Sequence, residues 1–166
     1  MNKNIISMSK NIFSIKTVFS LLWILTTLFI FSNSLMVGEV SSNNSSGISQ
    51  CITNFLNSLN FNVTLNDVTI FVRKSAHFCE YALLSIIISL CFNSFKIKLS
   101  YLWQKVLFFG LLTAVFDEFI QSFIAGRSSE VKDVLIDFSG IIFGFLVFLF
   151  IITIINIISK KRKLSQ

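Results

Sequence analysis

Four long apolar stretches, separated by short polar segments, dominate the hydrophobic pattern of this chain. They cover residues 18–37, 75–95 and 101–125, with a last stretch that follows Ser128 or Ser129 and runs to Ile158. A helix of about 20 apolar residues crosses the hydrocarbon core of a bilayer, and each stretch reaches that length. Because the chain contains no proline, no stretch loses a backbone donor in its middle. The pattern therefore predicts four transmembrane helices.

The segments between these stretches carry loop and capping residues. Residues 38–50 are rich in Ser and Asn, and we predict a loop there. Asn66 or Asp67 suits the N-cap of the second span, and Gly126 suits the C-cap of the third. Glu130 and Asp133 fall in the first turn of the last helix, where the helix dipole favours anions.

Apolar side chains also recur at helical spacing in the segment between the first two spans. They alternate with Asn and Ser residues and are Ile48, Ile52, Phe55, Leu56 and Leu59. This spacing is typical of an amphipathic helix that lies flat on a membrane surface. We therefore expect a short interfacial helix in the first outer loop.

The composition agrees with a membrane protein. Hydrophobic residues make up 54% of the chain and charged residues only 13%, whereas soluble domains average about 25% charged residues. We expect an all-α, four-helix membrane domain over residues 18–158, between an N-terminal segment 1–17 and a basic tail 159–166. A cleaved signal peptide is the alternative interpretation of the first span, because a basic segment precedes it. The length of that span favours a retained anchor.

The distribution of charge predicts the topology. Ten basic residues cluster at the two termini and between the second and third spans: Lys3, Lys10, Lys16, Lys96, Lys98, Lys105, Lys160, Lys161, Arg162 and Lys163. The eight acidic residues all fall on the opposite side, so the positive-inside rule places both termini in the cytoplasm. The net charge of +6 does not indicate a nucleic-acid partner, because the basic residues flank apolar spans and form no patch interleaved with aromatic residues.

Polar and charged residues gather at the predicted outer ends of the last three spans. Ionisable groups at this depth are costly in lipid, so they usually face a cavity, the protein interior or each other. The Gly140-x-x-x-Gly144 pattern lets a neighbouring helix approach closely, which would press the Asp137 face against it. We predict a polar pocket between the helices, open to the outside and formed by Arg73, Lys74, His77, Glu80, Tyr81, Asp117, Glu118, Gln121, Arg127, Asp133 and Asp137.

This pocket has a purely structural alternative. Arg73, Lys74, Arg127 and Lys132 would pair with the acids and hold the bundle together as a salt-bridged clasp. The adjacent acids at positions 117 and 118 repel each other, which favours a functional site over a clasp. A metal site built from the histidine and several carboxylates is chemically possible. No ligand motif of established spacing is present, however, so the sequence assigns no metal and no cofactor.

Two longer motifs in this region resemble the signatures of the VanZ-like family. The first is Arg73-Lys74-x-Ala76-His77-Phe78-x-Glu80-Tyr81, and the second is Asp117-Glu118-x-x-Gln121-x-Phe123-x-x-Gly126-Arg127 followed by Asp133-x-x-x-Asp137-x-x-Gly140-x-x-x-Gly144. Phe31-Ser32-x-Ser34 is similar to the short serine motif of the family, although Leu35 replaces a glutamine often found there. The resemblance extends from residue 18 to about residue 158.

The resemblance implies a multi-pass protein of the bacterial plasma membrane that works at the outer face. The family is named for a membrane protein encoded with glycopeptide-resistance genes and associated with teicoplanin resistance. The resemblance supplies neither a mechanism nor catalytic residues. The sequence does not indicate the oligomeric state.

Three functional hypotheses remain open at the level of the sequence. The first is a non-enzymatic envelope protein whose pocket binds an envelope lipid, a cell-wall precursor or a glycopeptide antibiotic, with membrane lipids as general partners. The second is an enzyme acting on a lipid-linked substrate, with His77 or a carboxylate as general base. The third is an ion or proton pathway, which is disfavoured because polarity stops halfway across the membrane.

Overall fold

A computed structural model describes residues 3–36, 38–127 and 129–164, which form α-helices and no strand. Four helices contain segments long and apolar enough to span a membrane, namely Ser14–Ser34, Leu65–Ser94, Leu99–Gln121 and Val131–Lys163. The all-α fold and the four candidate spans predicted from the sequence are therefore confirmed. The five helices are α1 (Lys3–Ser34), α2 (Gly38–Ser58), α3 (Leu65–Ser94), α4 (Leu99–Gln121) and α5 (Val131–Leu164).

Large apolar side chains cover the outside of the bundle. Leu25, Phe119 and Phe150 are 60%, 60% and 68% exposed, and they lie on α1, α4 and α5 respectively. Soluble monomers rarely expose continuous apolar surface of this kind, whereas lipid-facing helices do so as a rule. The exposed surface therefore agrees with the span assignment.

The second span begins earlier than its apolar run implies. Thr64 is the N-cap of α3, so the predicted caps Asn66 and Asp67 are wrong. The Thr64 hydroxyl accepts a bond from the Asp67 backbone amide at 3.2 Å and donates to Asp67 Oδ2 at 2.7 Å. This reciprocal capping starts the helix at Leu65, well before the charged residues that mark the edge of the apolar run.

The turn between α4 and α5 also differs from the prediction. Helix α4 ends at Gln121 rather than at residue 125, and its C-cap is Ser122. Gly126 is not a C-cap; it has a φ of 75° within the turn that follows. Ser128 lies outside the described residues, whereas the Ser129 hydroxyl donates to the Glu118 carbonyl at 2.9 Å and fixes the turn against α4.

Helix α5 extends beyond its predicted limits at the C-terminal end. It begins at Val131 with Asp133 in its first turn, as predicted, while Glu130 precedes it. It continues past Ile158 to Leu164, so most of the basic tail is also helical. Cations in a last helical turn interact favourably with the helix dipole, which explains the extension.

The predicted loop at residues 38–50 is wrong, because helix α2 covers residues 38–58 and is longer than the short helix expected. This helix packs against α3. Over residues 46–58, whose side chains are described, the buried ones are Ser49 and Thr53, whereas Ile48 and Phe55 are both 62% exposed. Tertiary contact through small polar residues thus stabilises a helix in a segment whose composition resembles a loop.

Helix α3 is the centre of the bundle and packs most extensively against α5. A Cβ atom at Gly140 would collide with the Phe78 carbonyl oxygen, and one at Gly144 would collide with the Ala82 carbonyl oxygen. The two helices therefore approach closely along the glycine stripe. The buried core around this contact comprises Ile30, Tyr81, Leu84, Ile88, Leu102, Val106, Ala114, Ile141, Phe145 and Phe148.

Candidate functional site

A polar cavity lies at the end of the bundle where α3 and α5 begin and α4 ends. Its volume is about 350 Å³. Charged and amide side chains form most of the wall, and two isoleucines complete it. The lining residues are Asn66, Thr69, Ile70, Arg73, Lys74, His77, Glu118, Gln121, Glu130, Asp133, Ile136 and Asp137.

A histidine and two aspartates meet at the inner end of this cavity, and we call them the His–Asp–Asp cluster (His77, Asp117 and Asp137). His77 Nδ1 is 3.9 Å from Asp117 Oδ2 and 3.8 Å from Asp137 Oδ1. Both distances exceed those of a hydrogen bond. The aspartates are 0% and 1% exposed. The cluster therefore combines three potential ligands from three different helices.

Helix α4 contributes the best-connected part of the site. Gln121 Nε2 donates to Asp117 Oδ2 at 3.0 Å and to Ser34 Oγ of α1 at 3.3 Å. Glu118 is also buried, and its Oε2 has no hydrogen-bond partner among the described residues. An amide thus orients one carboxylate, while the neighbouring carboxylate has an unused oxygen that faces the cavity region.

The end of α1 is part of the site, although the sequence analysis did not include it. Ser34 is fully buried at the contact with Gln121, and Asn33 Nδ2 donates to Glu80 Oε1 at 2.9 Å. The signal for this contribution was the Phe31-Ser32-x-Ser34 motif. Within that motif Ser32 is exposed and donates to the Phe29 carbonyl, so only the second serine reaches the site.

The predicted pocket residues do not all line the cavity. Glu80 turns towards Asn33 of α1, and Tyr81 is fully buried in the core. Arg127 reaches α1 as well, where its Nη2 donates to the Asn33 carbonyl at 3.0 Å. Within the described part of the chain, these three residues and Asp117 surround the cavity without lining it.

Sequence analysis missed several residues of the wall on α3 and α5. Asn66, Thr69 and Ile70 share the α3 face of Arg73 and His77, because residues three, four and seven apart lie on one side of a helix. They were missed because they precede the apolar run that begins at residue 75, and only Asn66 was considered, as a helix cap. The α5 residues missed are Glu130 and Ile136.

The cations of the site form only part of the clasp that was considered as the alternative. Lys74 pairs with Asp133. Lys132 is exposed. The buried carboxylates Asp117 and Asp137 have no lysine or arginine within salt-bridge distance among residues 3–36, 38–127 and 129–164. The geometry therefore favours a site over a clasp.

Two guanidinium groups near the cavity have unused donors. Arg73 Nε and both Nε and Nη1 of Arg127 are buried without hydrogen-bond partners among the residues that the structure describes. Burial lowers the pKa of Arg127, and the positive charge of Arg73 nearby lowers that pKa further. Neither arginine has a carboxylate within salt-bridge distance in the described part of the chain, although Asp117, Glu118 and Glu80 are near enough to raise the pKa of Arg127. Two arginines that repel each other with unused donors form an arrangement that an anion would stabilise.

A helical bundle with four candidate spans, an apolar exterior and a polar interhelical cavity defines an integral membrane protein. The sequence model of the VanZ/LLP1 family matches residues 17–153. The chain therefore belongs to the VanZ/LLP1 family, and the resemblance seen in the motifs is confirmed. Comparison with curated proteins and with solved structures finds no significant match.

Proposed function

We propose that this protein is a bacterial plasma-membrane protein whose polar cavity faces the cell exterior and binds the phosphate-bearing headgroup of an envelope lipid or lipid-linked cell-wall precursor. The observation that carries this proposal is the pair of arginines with unused buried donors, Arg73 and Arg127, beside a polar cavity in an apolar bundle.

The arginines supply the affinity for an anion. A guanidinium group presents planar N–H donors that match the oxygens of a phosphate in a bidentate manner. A buried donor without a partner costs about 1–3 kcal/mol, so a phosphate that satisfies these donors gains that energy on binding. An anionic lipid headgroup brings such a phosphate to the depth of the arginines.

The remaining wall of the cavity suits the polar part of a headgroup. Glu118, Glu130 and Asp133 accept hydrogen bonds, as sugar hydroxyls or an amine beside a phosphate require. A cavity of about 350 Å³ is within the size range of small-molecule sites. A glycopeptide antibiotic is far too large to be enclosed there. A role in resistance would therefore act through an envelope lipid or precursor.

The opposite half of the bundle argues against an ion pathway. Leu102, Val106 and Phe148 fill its interior and are at most 3% exposed. The hydroxyls of Ser89 and Thr113 donate to carbonyls of their own helices at 2.7 and 2.8 Å. A continuous polar route is thus not visible among the described residues, and a one-sided site fits better.

The test is native mass spectrometry of the full chain released from mild detergent, with lipid identification by fragmentation. We expect a copurifying phosphate-bearing lipid, and we expect its occupancy to fall about tenfold or more in the Arg73→Gln/Arg127→Gln variant because bidentate charged contacts are lost. Lys132→Gln is the matched control, since Lys132 carries the same charge but is exposed outside the cavity. Equal lipid occupancy in all three proteins would contradict the proposal.

A further inference from the structure

The inner end of the polar cavity carries an arrangement that lipid binding does not explain. We propose that the His–Asp–Asp cluster binds one divalent transition-metal cation, with Zn²⁺ and Mn²⁺ as the best-matched ions. This inference does not depend on which headgroup the cavity binds. It rests on the donor geometry, the unused buried atoms and the local charge.

The donor atoms are close enough to share one ion. One ligand atom each from His77, Asp117 and Asp137 lies within 4.8 Å of the other two. Zinc binds nitrogen and oxygen at about 2.0–2.2 Å, so two tetrahedral ligands of one ion are about 3.4 Å apart and no two ligands are more than about 4.4 Å apart. The observed separations of 3.8 and 3.9 Å from His77 Nδ1 are too long for hydrogen bonds but fit ligands of a common ion.

Unused buried atoms are the second, independent observation. His77 Nδ1, Asp117 Oδ1 and Asp137 Oδ2 are all buried without a hydrogen-bond partner in the described part of the chain. Both aspartate side chains are more than nine-tenths buried. Unpartnered polar atoms at this depth are costly and rare in native proteins. The unused aspartate oxygens are not the ones that lie 3.9 and 3.8 Å from His77 Nδ1, so a bound cation would give the histidine a partner directly and each aspartate a partner if its carboxylate rotated or bound through both oxygens.

The charge of the region leads to the same conclusion. Asp117, Glu118 and Asp137 are buried close together, and Lys74 is already paired with Asp133. Intramembrane carboxylates are tolerated only when paired, neutralised or hydrated. A divalent cation between Asp117 and Asp137 would neutralise both carboxylates, with the neutral imidazole as a third ligand.

The donor set discriminates between cations. An imidazole nitrogen with two carboxylates suits Zn²⁺ or Mn²⁺, whereas Mg²⁺ and Ca²⁺ prefer oxygen ligands throughout. Three protein ligands leave at least one coordination position free. Because His77 and Asp137 also line the cavity, that position faces the proposed headgroup site. Gln121 donates a hydrogen bond to Asp117, and metal ligands are commonly oriented by hydrogen bonds of this kind.

The experiment uses the full chain in mild detergent, with Cys51 and Cys79 replaced by serine because both thiols are exposed and would bind metals adventitiously. Metal content is measured on the protein as isolated. The protein is then stripped with chelator and titrated with Zn²⁺, Mn²⁺ and Mg²⁺ by calorimetry. We expect one Zn²⁺ or Mn²⁺ per chain and far weaker binding of Mg²⁺.

Substitutions of the proposed ligands test whether the ion binds at the His–Asp–Asp cluster. Asp137→Asn and His77→Gln should weaken binding of Zn²⁺ roughly tenfold or more, since each removes one ligand. Glu130→Gln removes a carboxylate from the cavity wall outside the cluster and should leave binding unchanged. Absence of stoichiometric metal in the parent protein, or equal binding by Asp137→Asn, would overturn the proposal.

A spectroscopic readout covers the case in which those variants fail to fold. Co²⁺ should give visible absorption bands in the parent protein, and these bands should shift in Asp117→Glu, which retains a carboxylate ligand with a longer side chain. An unchanged Co²⁺ spectrum in that variant would also refute the site. Lipid occupancy measured on the same samples reports separately on headgroup binding.

Discussion

Glu118 is a buried carboxylate with an unused oxygen, next to another buried carboxylate at Asp117. A residue retained for stability would be expected to have a full set of partners, because a buried charge without them raises the free energy of the folded state. Its position on the cavity wall gives a different reason for its presence. The proposed function assigns this carboxylate an interaction with the ligand.

The Glu118→Gln variant tests this interpretation at the level of one residue. We expect its melting temperature in detergent to stay unchanged or rise, since the substitution removes the desolvation cost of a buried charge. Lipid occupancy should fall. Asp133→Asn is the comparison, because it breaks the partly exposed ion pair with Lys74, whose side chains are 22% and 38% exposed, and should cost about 1 kcal/mol. A marked fall in the melting temperature of Glu118→Gln would instead assign the residue a structural role.

The close packing of α3 against α5 positions the site. Both helices begin at the cavity end, and the glycine stripe holds them at backbone distance just beyond His77 and Asp137. The Ser85 hydroxyl donates to the Ile141 carbonyl at 2.7 Å and links the same two helices. The separation of these helices therefore determines the separation of two of the three cluster residues.

Gly144→Ala should disrupt this contact. Its Cβ atom would collide with backbone rather than with a flexible side chain, so the helices must move apart, at a cost of about 1–3 kcal/mol. The measurement is the melting temperature in detergent. Gly47→Ala in α2 is the matched control, because nothing lies within 4 Å of its added Cβ atom. It should be neutral or stabilising by up to about 1 kcal/mol, since alanine favours a helix. Equal stability of the two variants would contradict the close approach.

The existence of the four spans could be predicted from the sequence. The exact residues at which the helices begin and end, and the contribution of α1 to the site, could not. The length of the apolar runs predicted four spans, because a bilayer sets that length. The start of α3 depends on the bond between Thr64 and Asp67, which the apolar pattern does not contain. The placing of Ser34 against Gln121 depends on how α1 packs, and periodicity alone does not determine packing between helices.

The two ends of the whole molecule differ in charge. The end opposite the cavity carries basic residues, with Lys16 over the Phe95 ring at 5.1 Å and Lys105 over the Phe92 ring at 5.7 Å. The cavity end carries the buried acids. The positive-inside rule predicts that the basic end lies in the cytoplasm, and the proposed function requires this orientation because the cavity would then face the exterior.

Cysteine labelling tests this orientation in intact cells, in a background where Cys51 and Cys79 are replaced by serine. Ser58→Cys, exposed at the end of α2, should react with a membrane-impermeant maleimide. Ser159→Cys, exposed near the C-terminal end of α5, should react only after the cells are permeabilised. Equal reaction of both cysteines before permeabilisation would refute the proposed topology.

The glycine contact has a further consequence for the shape of the cavity. Helices α3 and α5 touch at residues 78 and 140, and the cavity separates them towards their N-terminal ends. The two helices thus form a wedge, with Ile70 on one arm and Ile136 on the other. Ile70 is 43% exposed, so the lateral side of this wedge is apolar. If the headgroup site is as proposed, lateral entry of a lipid between these helices would require the Lys74–Asp133 ion pair, which joins α3 to α5, to open while the acyl chains stay in hydrocarbon.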